Sequence, residues 1–241
     1  MTWTFSLLGT TFAVTADEPA LKALKSTLAG VTATSTKEPT ATASITNRTV
    51  TAPGLELQAH TKDHAVIALA GALELYAAER CPDRIAIHAG VIAVHDRALL
   101  LPGRSLAGKS TLTKALMDAG ADYLSDEYAM LDADGLVHPY PRPLRLRLDG
   151  VKIIAPPPDT RPEPRTVALI AALQHDDRGW SVTPLSKGEA TLRLIENAVP
   201  AQTRSKETLD ATTAAARTAQ AITGTRGEAG EAARHLLELL R

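Results

Sequence analysis

The sequence predicts an α/β protein with a phosphate-binding-loop (P-loop) core and a small N-terminal α+β lobe, and three observations carry that prediction. Gly103-Arg104-Ser105-Leu106-Ala107-Gly108-Lys109-Ser110 matches G-x-x-x-x-G-K-[ST] at every fixed position. The loop follows the apolar run Ala98–Leu101 and opens the helical pattern Thr111–Ala119; Tyr123–Leu131 is the next apolar run, so the order is strand, loop, helix, strand. Ahead of this unit, residues 2–57 are rich in Thr and alternate polar with apolar side chains around one short helical stretch. A boundary near residue 80 follows, with 1–80 as lobe and connecting helix and 81–241 as core.

In chain order, Trp3, Phe5, Leu7, Leu8, Phe12 and Val14 alternate about a Gly9 break and predict a hairpin. Leu21, Leu24 and Leu28 fall at helical spacing within Leu21–Val31. Val66, Ile67, Leu69, Ala70 and Leu73 put a helix over Asp63–Arg80, stopped by Cys81-Pro82-Asp83. Ile85–Val94 and Ala98–Leu101 are β-type runs joined by the polar turn His95-Asp96-Arg97, and Gly120 is the natural stop of the helix after the loop. Beyond Leu131, His138–Pro143 is a Pro-rich turn region and Leu144–Leu148 alternates apolar with Arg. The proline-dense Ala155–Pro164 reads as a mobile loop. Val167–Leu173 reads as a strand with Ser181–Leu185 as its partner, and Ala229–Leu240 as an amphipathic helix.

Among 241 residues, 26 Lys and Arg nearly cancel 27 Asp and Glu, so no global field favours nucleic acid or an anionic membrane, and phosphate recognition has to be local. Cys81 is the only cysteine, which excludes a disulfide within the chain; the N-terminus lacks a basic-then-apolar leader, so a cytoplasmic location is expected. No apolar run approaches the ~20 residues of a membrane helix. Asn47-Arg48-Thr49 fits a glycosylation sequon that is expected to be idle without secretion.

The chemistry is expected at the loop. Its glycines let Gly103 to Ser110 turn backbone N–H groups inward as an anion nest, and the following helix N-terminus, from Thr111, adds partial positive charge. Lys109 would supply a point charge to the β- and γ-phosphates and Ser110 a hydroxyl to Mg²⁺. Asp126 and Glu127 lie within an apolar run, where two adjacent carboxylates are costly to bury unless a metal or cation pairs them. Asp126 is read as base and Glu127 as metal or supporting group; the alternative is that the pair caps a loop in solvent. Successive strand side chains face opposite ways, so both reach one site only if the strand bends there. His88 is either a satisfied core histidine or a catalytic group. Arg142, Arg145 and Arg147 are either a phosphate-neutralising cluster or a solvated strand face.

Three blocks, Ile87-His88-Ala89-Gly90, Leu101 to Leu112, and Gly120 to Glu127, together resemble the HPr serine kinase/phosphorylase family and, more closely, its shorter HPr-kinase-like members. The resemblance spans about Ile85–Arg147. It implies a P-loop kinase core related to that of phosphoenolpyruvate carboxykinase with an N-terminal lobe. It also implies that His88 and Asp126 sit at the reaction centre, Asp126 as general base toward a seryl hydroxyl. Three departures count against phosphorylase activity and against HPr as substrate: Ala89 follows His88 where the bifunctional enzymes have Gly, Glu127 stands in place of a second aspartate, and no Glu-containing signature follows at Leu144–Leu148.

The expectation is an ATP-dependent kinase acting on a peptide, protein or small-molecule hydroxyl, with no nucleic-acid or membrane partner. The Thr-rich lobe could bind the acceptor or a partner subunit in a homo-oligomer. The rivals are an NTPase switch, for which no N-K-x-D base reader occurs, and a regulator that binds nucleotide without turning it over.

Overall fold

The computed structural model describes residues 1–241 except 30, 35–37, 104–107, 149–150 and 155–160; the side chains of 32, 145, 147, 148 and 151–154 are likewise outside the description. The chain is a mixed α/β fold with two mixed sheets, a two-stranded ribbon and six helices among the described residues. Its contacts divide it into two units, Met1–Pro82 and Asp83–Arg241.

The first unit contains β1 (Thr2–Leu7), β2 (Thr10–Thr15), α1 (Glu18–Thr27), β3 (Thr32–Ala33), β4 (Ala41–Thr46), β5 (Thr49–Ala52), β6 (Leu55–Gln58) and α2 (Lys62–Arg80). The sheet order is β3-β1-β2-β4-β5-β6, with β2 and β4 parallel and the other pairs antiparallel. Leu8-Gly9 and Asn47-Arg48 carry positive φ at both central turn positions, the twist that two-residue hairpins require. The sequon asparagine is thus a turn residue. Period-two alternation buries Phe5, Leu7, Phe12, Val14 and Val50, and the Phe12 ring meets Tyr76 of α2 edge-on at 5.9 Å. Helix α1 starts before the predicted Leu21 because Asp17 caps it, accepting from the Ala20 N–H at 2.8 Å, with Pro19 in the first turn.

The second unit runs β7 (Ile85–Val94), β8 (Arg97–Pro102), α3 (Lys109–Asp118), β9 (Asp122–Ser125), β10 (Tyr128–Leu131), β11 (Leu136–His138), β12 (Arg145–Leu148), β13 (Val151–Ile154), β14 (Arg165–His175), β15 (Ser181–Pro184), α4 (Lys187–Ile195), α5 (Ser205–Thr218), β16 (Gln220–Arg226) and α6 (Ala229–Leu240). Its main sheet has the order β11-β10-β7-β8-β14-β16-β15, with β9 also on β7 and β11 also reaching β14. β8, β14 and β16 are mutually parallel neighbours; the remaining ladders are antiparallel. The alternation of β8 sorts its side chains onto two buried layers. Ala98 and Leu100 pack with Ala190 and Leu194 of α4 and Ala211 and Ala215 of α5; Leu99 and Leu101 pack with Leu112 and Leu116 of α3 and Leu236 and Leu240 of α6.

Two expectations change here. Ser181–Pro184 does not pair with β14; β16, whose Thr and Gly content hides it from an apolar-run reading, lies between them. The run Tyr123–Leu131 is two strands, broken at Asp126-Glu127. The region read as mobile falls largely on residues 155–160, outside the described residues; 161–164 carries no helix or strand.

Gly135, at the β10–β11 turn, has φ +80°, and a Cβ there would collide with the α5 backbone at Ala214 and Ala215. Strain and collision act together, so Gly135→Ala should cost more than ~2 kcal/mol of unfolding free energy, read as a lower denaturant midpoint at unchanged slope.

Candidate functional site

Three local features converge at one end of the β7–β8 hairpin. β8 delivers the chain to Gly103, whose N–H donates to the His88 carbonyl at 3.3 Å. α3 begins at Lys109 with Gly108 as N-cap in the left-handed region at φ 77°, and no side chain caps it. Its first N–H groups therefore stay turned toward the loop, as an anion site requires. The positive φ favours glycine at 108, and a Cβ there would have to displace the Arg226 guanidinium tip. Of the predicted loop residues, Gly103, Gly108, Lys109, Ser110 and Thr111 are described; Arg104, Ser105, Leu106 and Ala107 lie outside the described residues.

The third feature is the β9–β10 corner. The Ser125 Oγ accepts from the N–H groups of Glu127 at 3.3 Å and Tyr128 at 3.1 Å, folding the chain sharply at the acid pair. The bend answers the alternation problem, because the two carboxylates no longer have to project from one flat strand. Asp126 is 8% exposed and accepts from the Ser110 hydroxyl at 2.6 Å through Oδ2. Its Oδ1 is buried without a hydrogen-bond partner among the described residues. Glu127 takes a different direction: its Oε1 lies 3.9 Å from His88 Nε2. Ser110 thus meets Asp126, and Glu127 meets His88. His88 is half-buried, fixed through its backbone N–H to the Asn197 carbonyl at 2.8 Å.

Burial sets the protonation states. Asp126 is pushed up to about 6, chiefly by desolvation and further by Glu127, against the opposing Ser110 hydrogen bond and Lys109 charge. Lys109 is held below its usual value by burial, despite the attraction of Asp126 and Glu127. At rest its Nζ donates to the Gly103 carbonyl at 2.7 Å. His88 is pulled down to about 4, first by burial and then by the Lys109 charge, so its imidazole is neutral at pH 7. Tyr123 rises above its ordinary range through burial and Asp126, while its hydroxyl donates to the Arg142 carbonyl at 2.7 Å. Arg142 itself is buried, with its guanidinium carbon 5.6 Å from the Tyr140 ring, so it is not part of a solvated face. The side chains of Arg145 and Arg147 lie outside the described residues.

A cleft of about 1320 Å³ opens against the loop, touching Gly103, Gly108, Thr111, His175, Asn197 and Arg226. The parallel strands β8, β14 and β16 all end in it with their carboxyl ends, the place where α/β sheets bind ligands. The Asp126–Ser110 pair is not in its lining; the loop lies at the junction of the two. Arg226 went unnoticed in the sequence, 118 residues from its partner. It is 3% exposed, donates from Nη2 to the Gly108 carbonyl at 3.1 Å and from Nη1 to the Gly227 carbonyl at 2.9 Å, and has no carboxylate ion pair among the described residues. Desolvation lowers its affinity for its proton. Glu228 is near enough to favour its charge, but no carboxylate pairs with it within 4.0 Å among the described residues, so the buried guanidinium beside the loop is suited to an anion.

Because His88 binds a proton less readily in the folded chain than its ordinary 6.5, the stability it contributes is present above pH 6.5 and is lost as pH falls toward 4. Nuclear magnetic resonance of the imidazole should give a midpoint near 4, and Lys109→Met should raise that midpoint by removing the neighbouring cation. Compared with protein-family models, curated proteins and solved structures, the chain matches none.

Proposed function

We propose that this protein is an ATP-dependent kinase that transfers the γ-phosphoryl group to a hydroxyl, on a P-loop core of the HPr-kinase and phosphoenolpyruvate-carboxykinase type. The observation that carries the reading is the Ser110–Asp126 contact at 2.6 Å: a buried carboxylate stands against the residue that, in a loop of this pattern, faces the cation of a bound triphosphate. A carboxyl that burial pushes up to about 6 is suited to accept a proton near neutral pH.

The residues suit the groups the reading requires. Ser110, Asp126 and Glu127 offer hard oxygen donors, and Asp126 Oδ1 is a buried acceptor without a hydrogen-bond partner among the described residues; Ser110 and Glu127 would hold Mg²⁺. That ion would supply charge compensation to the phosphate oxygens when bound. The α3 N-terminus and the N–H groups of the loop would cradle the phosphates, Lys109 would leave the Gly103 carbonyl to reach them, and Arg226 would add a second cation from β16. Asp126 would take the acceptor's hydroxyl proton as the bond from the acceptor oxygen to γ-phosphorus forms. The bond from γ-phosphorus to the β,γ-bridging oxygen breaks and ADP leaves, carrying that oxygen on its β-phosphate. Neutral His88, beside Glu127, would orient the acceptor and add no positive charge competing for Asp126. Catalysis by such a site is mainly positioning and electrostatics.

Incubation with γ-labelled ATP, Mg²⁺ and a peptide library should label a hydroxyl-bearing product. Asp126→Asn should keep ATP affinity and lose transfer by roughly 10²- to 10⁴-fold. Lys109→Ala should weaken ATP binding itself, measured by calorimetry; unchanged binding in that variant would falsify the phosphate-loop assignment. Since the base must be ionised, transfer should fall as pH drops through about 6, not through the ordinary carboxylate range near 4.

A further inference from the structure

Helices α3 and α6 start at the same rim. α3 begins behind Gly108 and α6 behind Glu228; no side chain caps either start, and Gly108, Thr111, Glu228 and Ala229 all line the cleft. The two helices share one buried cluster, in which Leu112 and Leu116 of α3 lie with Ala232, Ala233 and Leu236 of α6. Their first N–H groups and positive dipole ends thus meet one cavity. Arg226, 3% exposed, spans the two starts from the Gly108 carbonyl to the Gly227 carbonyl. Those carbonyls occupy two of a guanidinium's five N–H donors and leave the others for a ligand.

The loop also has two sides. Ser110 and Thr111 are successive residues in the first turn of α3, and the helical period sends them apart, Ser110 to Asp126 and Thr111 to the cleft. β7, β9 and β10 make the acid side; β14 and β16 make the cleft side. In-line transfer puts the attacking and leaving oxygens on opposite sides of γ-phosphorus. If Asp126 takes the proton, the acceptor stands on the acid side, and the rest of the donor has to extend the other way.

We propose that the cleft is the nucleoside site of the donor. The triphosphate crosses the loop with its γ end at Asp126 and its α-phosphate between Arg226 and the starts of α3 and α6; base and ribose lie beyond, against the ends of β14, β16 and α4. The inference rests on the phosphoryl-transfer reading above and gives the donor its direction. The cavity, about 1320 Å³, has room for a nucleoside as well as phosphates. Ala172 and Leu173 offer it apolar surface, and Gln174 and Asn197 offer amides to a base. Of the two carboxylates in the lining, Glu196 is paired with Arg193 at 3.1 Å, and the exposed Glu228, which would repel a second anion, suits a ribose hydroxyl.

The test photolabels the unsubstituted chain with 8-azido-ATP, and measures ATP, ADP and tripolyphosphate by calorimetry on Gln174→Trp and Arg226→Gln. Label should fall within 171–175, 193–197 or 223–229. Gln174 is exposed, so an indole there obstructs the cleft without disturbing the core. Gln174→Trp should weaken ATP and ADP by about tenfold or more and spare tripolyphosphate. Arg226→Gln should weaken ADP as much as ATP, by about tenfold, whereas a guanidinium serving the γ-phosphate would spare ADP. Label anywhere else, full ATP affinity in Gln174→Trp, or unchanged ADP affinity in Arg226→Gln overturns the proposal. Photolabelling needs no substitution, so a variant that fails to fold leaves the test intact. If the unsubstituted chain binds neither ATP nor tripolyphosphate, the phosphate-loop reading fails and this proposal with it; if it binds both and the label falls elsewhere, only the nucleoside placement fails.

Discussion

A serine hydroxyl at the start of α3 and a carboxylate at the β9–β10 corner meet at 2.6 Å, and the surrounding architecture is what makes that meeting possible. The corner exists because Ser125 accepts two backbone N–H groups that a continuous strand would have committed to its ladder. β9 and β10 both pair with β7, one on either side of the bend, so the acid pair is pinned from the strand that also carries His88. The helix start is pinned separately, by Gly108 in a left-handed conformation that side chains rarely adopt. Two rigid supports, each over-determined by backbone geometry, hold the two groups that have to meet.

Electrostatics then divides the labour. Lys109, Asp126 and Glu127 each act on another of the group and Lys109 also acts on His88, but burial is the largest influence on Lys109, Asp126 and His88. Desolvation moves acid and bases in opposite senses: it raises the carboxyl and lowers the ammonium and imidazole. The outcome is a carboxylate poised near neutrality beside an imidazole without charge. A proton can thus move to Asp126 under conditions in which His88 is a neutral hydrogen-bonding group.

Much of this was legible in the residues and part was not. The hairpin of β1 and β2, the helix over 62–80, the β7–β8 pair, the start of α3 and helix α6 all announce themselves through period, caps and glycine position. The proximity of Asp126 to Ser110 could be expected only conditionally, since it required a bend, and the cue for that bend is one serine, Ser125, whose turn-forming use is invisible to an apolar-run reading. Helix α4 carried a readable signal that went unread, the capping box Ser186–Glu189. Helix α5 carried almost none, because its buried face is Thr208, Ala211, Thr212 and Ala215, small residues without hydrophobic contrast. Arg226 could not be found from spacing at all: its relation to Gly108 is created by β16 entering the sheet beside β14, a long-range pairing that no local pattern encodes.

That late strand also explains why the cleft and the carboxylate site adjoin at the loop. β8 is followed by the loop and α3, and β14 and β16 are added in parallel on its far edge, so three strands send their carboxyl ends to one rim. The antiparallel strands β7, β9 and β10 lie on its other edge and bring His88, Asp126 and Glu127. A mixed sheet therefore does something a wholly parallel one could not. Its parallel half builds an open cleft with the buried guanidinium of Arg226, and its antiparallel half, with reversals short enough to bend within two residues, places a desolvated carboxylate against the helix that starts between them. An anion bound at the loop would lie under the influence of both halves, with the Arg226 guanidinium from one and the Asp126 carboxylate from the other, the charge pattern that the proposed transfer calls for.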